Sequence, residues 1–161
     1  MCVAGQKTFP DIYDPHLIDK IFCLSKKYNI KLAAMSGTFN LLDDERFEEN
    51  LKKAEYLMQA CEALRIPVLT LCTGTKSKES MWTWHPENGT EEVWNIMKEK
   101  LDKLISAAEK YKIILGIEPE ISNVISTPSK GQETAGGDEN TGTENYYGCG
   151  KSFFTGGKGV K

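Results

Sequence analysis

Histidine is almost missing from this chain. It occurs only at His16 and His85 among 161 residues, which excludes a metal site assembled from several imidazoles. No apolar run approaches the roughly 18 residues of a membrane span, and the N-terminus has neither the basic nor the apolar stretch of a secretory signal. The expected location is therefore the cytoplasm, with no membrane partner. An excess of positive charge is also absent: the net charge is -3 and the pI is near 5.5, so no nucleic-acid footprint is visible. The five cysteines, Cys2, Cys23, Cys61, Cys72 and Cys149, are odd in number and lack CxxC spacing, so neither a disulfide framework nor a zinc knuckle is indicated. Cys23 and Cys61 lie on apolar helical faces and are expected in the core.

What is present is an alternation of helix and strand. Asp14 followed by Pro15 starts a helix, a side-chain cap with proline in the first turn, and the helix is expected to end near Asn29. Residues 30–35 read as a short buried strand broken by Ser36 and Gly37. A helix is expected from Asp44 to Leu64, with Phe47, Leu51, Ala54, Met58 and Cys61 at steps of four and three. Pro67 precedes a second strand over residues 68–72. After a polar loop with Trp82, Trp84 and His85, Thr90 caps a third helix whose core face is Val93, Met97, Leu101, Leu104 and Ala108. Next comes KIILGIEPE at residues 112–120, a strand expected to be buried on both faces and ending at the carboxylate Glu118. This order implies βαβ units and a parallel sheet, an α/β fold.

Three strand ends would share one rim of that sheet: SGTFN at residues 36–40, CTGT at 72–75 and EPE at 118–120. Such folds keep their active sites on this rim. Small polar side chains there can hold sugar hydroxyls or a phosphate, and Gly37 and Gly74 either let a ligand approach the backbone or form ordinary turns.

With MWTWHPEN at residues 81–88 and LGIEPEISNV at 115–124, these segments resemble the xylose isomerase-like TIM-barrel family of sugar phosphate isomerases and epimerases over residues 5–128. The resemblance implies a partial barrel, about half of a (β/α)8 fold, over residues 1–128, and a small sugar or sugar phosphate as substrate. It implies that Glu118 is a divalent-metal ligand, for Mn, Mg, Co or Zn, and the catalytic acid or base. By the same resemblance Asn40, Thr73, His85 and Asn123 contact substrate. His85 serves equally well as a loop-organising hydrogen-bond partner. One of Trp82 and Trp84 is expected to anchor its loop, and Glu120 reads as a solvated or capping acid. The related endonuclease IV branch places a zinc-binding histidine where this chain has Cys72, Thr73, Gly74 and Thr75, which puts a zinc phosphodiesterase behind the sugar reading.

Past residue 128 the composition changes to GQETAGGDENTGTENYYGCGKSFFTGGKGVK, rich in glycine and without helical period. Residues 129–161 read as a low-complexity, disordered tail, or as the product of a frameshift. Read one nucleotide later, the codons from Lys130 onward permit KARRLLEEMKTPGLKIIMDAANLF, an amphipathic helix, a turn and a strand ending in Asp. The family continues with these same elements. The coding DNA tests this, because codons unable to yield that peptide remove the idea. Residues 1–6 read as the remnant of a first strand. The expectation is therefore a fragment, inactive alone, since one carboxylate with water holds a divalent ion weakly. The alternative is a non-catalytic half-barrel that associates with a partner or with itself through exposed sheet edges.

Overall fold

The structure is a computed structural model, and it describes residues 13–134, 146–148 and 151–153. Helix α1 (Pro15–Lys27) starts at Asp14, whose side chain accepts from the backbone N–H groups of His16 and Leu17 at 2.9 and 3.3 Å. Strands β1 (Ala34–Gly37), β2 (Val68–Leu71) and β3 (Ile114–Ile117) form a parallel sheet in that order. Helices α2 (Phe47–Leu64) and α3 (Glu91–Lys110) make the crossovers. The register runs Ala34–Val68–Ile114 at one end to Gly37–Leu71–Ile117 at the other. A short helix α4 (Pro128–Thr134) follows, and β4 (Tyr146–Gly148) pairs with β5 (Lys151–Phe153) in an antiparallel hairpin. The expected first-strand remnant and most of the expected disordered tail lie outside the described residues.

All three long helices end in one way. Asn29, Arg65 and Lys112 are left-handed, with φ of 51°, 57° and 56°. The isoleucine after each donates back over five residues: Ile30 to Ser25, Ile66 to Cys61 and Ile113 to Ala108, at 2.8, 2.8 and 2.9 Å. These are Schellman caps, which satisfy the last helical carbonyls and turn the chain toward the next strand. The core lies between sheet and helices: Met35, Leu69, Leu71, Leu115 and Ile117 meet Ala54, Met58, Cys61, Met97, Leu104 and Ala108.

Four expectations change. The first strand forms at Ala34–Gly37 instead of residues 30–35, because its partner ladder begins at Val68, behind Pro67. Helix α2 begins at Phe47, later than Asp44; the Asp44 carboxylate is taken by Lys76 and Lys100. Cys23 is exposed, whereas Cys61 is buried as expected; α1 lies at the flank and fully buries just Ile18. The sheet is not covered evenly on both faces either: Ala34 and Ser36 of β1 are exposed, and Ile114 is half-buried.

Candidate functional site

Beyond the strand ends, the three rim loops are stitched together by side-chain amides. Asn40 pairs with the backbone of Thr75 in both directions, its Nδ2 donating to the Thr75 carbonyl at 2.8 Å and its Oδ1 accepting from the Thr75 N–H at 3.0 Å. Its Oδ1 also accepts from the Leu42 N–H at 3.0 Å. Asn123 accepts from the Gly74 N–H at 2.7 Å and donates to the Met81 carbonyl at 3.1 Å. The Thr73 hydroxyl accepts from the Ile125 N–H at 3.0 Å, and the Val124 N–H donates to the Gly74 carbonyl at 3.0 Å. Asn88 links two loops, its Nδ2 reaching the Ser122 carbonyl and the Thr75 hydroxyl, each at 2.9 Å.

These bonds place Asn40, Thr73 and Asn123 as clamps between loops. Asn123 and Thr73 are almost fully buried, where an amide or hydroxyl without a partner would cost about 1–3 kcal/mol. His85 sits at the start of the 3-10 turn Pro86–Gly89, and its Nδ1 accepts from the Glu87 N–H at 3.3 Å. The loop-organising bond is thus formed. Trp82 and Trp84 are 52% and 59% exposed, so neither is a buried anchor. The loop is instead held by backbone, through the Met81 carbonyl on Asn123 and the Thr83 carbonyl on the Thr75 hydroxyl at 3.0 Å.

The close approach that Gly74 permits is made by the chain itself. Its φ is +81°, and a Cβ there would stand 1.9 Å from the Asn40 Oδ1. Glycine is needed for both reasons.

One group of donors converges at the rim. The parallel ladder continues one step past the strands, the Glu118 N–H donating to the Leu71 carbonyl at 2.8 Å, which sets Glu118 beside Cys72. Glu120 is positioned by its own backbone, its N–H on the Ile125 carbonyl at 3.1 Å and its carbonyl on the Asn123 N–H at 2.8 Å. The Cys72 sulfur and one oxygen each of Glu118 and Glu120 lie within 4.8 Å of one another, the one such group of three among the described residues. Cys72 is buried and both acids are half-buried. Glu120, expected in solvent or at a cap, joins Glu118 instead. The sequence carried a signal for this arrangement, since Cys72 and Glu118 each end an apolar strand. Asn88 carried none, as an Asn before a Gly reads as a turn.

A parallel sheet with helical crossovers, bearing carboxylates beyond the carboxyl end of β3, defines part of a TIM-barrel type of α/β protein. The sequence model of the Xylose isomerase-like TIM barrel family matches residues 1–138, and the chain belongs to that family. Comparison with curated protein sequences finds no match. Among solved structures, a D-tagatose 3-epimerase-like protein superposes with a TM-score of 0.62 at 18% identity, over 80% of this chain and 49% of that one. A xylose isomerase-like TIM barrel protein from Mycobacterium smegmatis, in complex with magnesium, gives 0.57 at 15% identity, over 77% and 43%. The IolI protein with a bound zinc atom gives 0.54 at 15% identity, over 75% and 44%. The chain thus spans under half the length of each of these structures, and at such identities they establish the fold. No helix among the described residues is long and apolar enough to cross a membrane.

Proposed function

We propose that the rim around Glu118 belongs to a divalent-metal-dependent sugar or sugar phosphate isomerase or epimerase. The observation that carries this reading is the convergence of the Glu118 and Glu120 carboxylates at the carboxyl end of a parallel α/β sheet. Support comes from the family and from the magnesium and zinc named for two of the structural neighbours. The donor set suits a divalent cation, because the two carboxylates offer anionic oxygens held on positioned backbone.

Glu118 and Glu120 would hold the ion, which when bound polarises a carbonyl and its neighbouring hydroxyl. Glu118, at the strand end, would take or return a proton on the adjacent carbon. Trp82, more than half exposed, is available to cover an apolar sugar face. Asn40, Thr73 and Asn123 act by holding the loops, whatever substrate contact they add. In this reading the partner is a small sugar, with no nucleic acid and no membrane, and the compartment is the cytoplasm.

The test is isothermal titration of the purified chain with Mn2+, Mg2+, Co2+ and Zn2+, beside a Glu118→Gln variant. Binding that the variant weakens at least tenfold supports the reading, and absence of any binding overturns it. Exchange of a ketose C–H in deuterated water then separates proton from hydride transfer. A second reading, a non-catalytic half-barrel that docks a partner, is favoured by the exposed Ala34 and Ser36 face of β1 and predicts no metal affinity.

A further inference from the structure

We infer that Cys72 is a third metal donor, so that this rim selects a thiophilic cation of the zinc and cobalt class over magnesium. The inference rests on the metal-site reading above and goes beyond it in assigning a sulfur ligand.

Two buried cysteines stand in contrasting surroundings. Cys61 lies in the apolar interior, its thiol 3.9 Å from the Met35 sulfur, and behaves as a small hydrophobic residue. Cys72 is 5% exposed, yet its sulfur lies within 4.8 Å of an oxygen from each of two carboxylates. The placement follows from the fold. Leu71 and Ile117 are in register, the Glu118 N–H extends the ladder by one bond to the Leu71 carbonyl, and the residue after Leu71 therefore sits beside Glu118. Glu120 is fixed by the hydrogen bonds of its loop to Ile125 and Asn123.

The spacing is close to what a metal requires. With Zn–S near 2.3 Å and Zn–O near 2.1 Å, tetrahedral geometry puts S and O about 3.6 Å apart. The three donors lie within 4.8 Å, so shifts of about 1 Å, small against the reach of two Glu side chains, would close the site. Magnesium demands near-octahedral oxygen ligands and gains little from sulfur, whereas zinc and cobalt take thiolate readily. On binding, the Cys72 S–H bond breaks, the sulfur–metal bond forms with the sulfur's electron pair, and the proton leaves to solvent.

Cobalt(II) titration of the full chain reads this directly through the near-ultraviolet thiolate-to-cobalt charge-transfer band. The expected result is a band that saturates with one equivalent. In Cys72→Ser the band is lost and the ratio of cobalt to magnesium affinity falls at least tenfold. Zinc-edge X-ray absorption of the unmodified chain, which needs no variant, should show one sulfur neighbour at about 2.3 Å. Cobalt bound without the band, a band that survives in Cys72→Ser, or an all-oxygen and nitrogen zinc shell overturns the sulfur ligand while leaving the metal reading intact. Absence of any metal binding overturns both.

Discussion

Gly74 concentrates the demands that the rim makes on a single residue. Its positive φ excludes a side chain on backbone grounds, and the Asn40 amide occupies the space where a Cβ would go. Gly74→Ala is expected to cost at least about 2 kcal/mol, from left-handed strain plus displacement of the Asn40–Thr75 pair. Gly89→Ala is the control, since a Cβ there meets nothing within 4 Å, and it should be neutral or stabilise by up to about 1 kcal/mol. Equilibrium denaturation of both variants checks this, and equal effects would remove the proposed clash. Cys61 offers a second residue-level test. Burial pushes its thiol from 9.0 up to about 12, so the folded state holds this proton more tightly than the unfolded chain. The stability it contributes is present below pH 9 and is lost as pH rises from there toward 12. Alkylation at pH 8 should label exposed Cys23 rapidly and Cys61 only on unfolding, as peptide mass spectrometry would read. At this scale the sequence was only partly legible. Glu118 and its rim position could be read from the strand pattern, whereas Asn40, Thr73 and Asn123 suggest ligand contact in a sequence and are engaged by backbone in the fold, because burial decides their partners.

The elements are where sequence and structure agree most closely, and the reason is periodicity plus capping. Asp14 and Thr90 both cap the helices they were expected to start, and the α3 face of Val93, Met97, Leu101, Leu104 and Ala108 is fully buried. Strand boundaries were less legible, since a parallel strand is defined by its neighbours: β1 begins where β2 can pair with it, not where its apolar run begins. The repeated Schellman cap is a feature that no glycine announced, because Asn29, Arg65 and Lys112 occupy left-handed positions usually given to Gly. Arg65 is exposed, and its N–H donates to the Glu62 carbonyl at 3.1 Å. Arg65→Gly should therefore relieve left-handed strain and raise stability by about 1 kcal/mol. Arg65→Val, β-branched at the same φ, should lower it. A chemical-denaturation midpoint that moves the same way in both variants would show that the cap conformation is not what limits this turn.

For the molecule as a whole, the question is what meets the surfaces the described residues leave open. In a complete barrel the inner face of each strand packs against side chains from the others. Here Ala34 and Ser36 of β1 are exposed, and Trp82, Trp84 and Ile121 expose 52%, 59% and 84% of their surface along the rim. Exposed apolar groups favour association, because each contact removes apolar surface from water at about 25 cal/mol per Å2. Two ion pairs that tie the segment before α2 to α3 and to the rim loop meet at Asp44, with Lys100 and Lys76, and the Lys100 hydrogen bond first, then its charge, holds the Asp44 carboxyl below its ordinary value of 3.8. These exposed pairs do nothing to cover the apolar rim and contribute little under salt. The purified chain is therefore expected to self-associate. Sedimentation velocity should show a weight-average mass that rises with protein concentration, and replacing Trp82 and Trp84 together with Ser should reduce it. A concentration-independent monomer that melts in one sharp, cooperative transition would mean that these surfaces are satisfied within the chain, and the half-barrel would then have to be regarded as a self-sufficient fold.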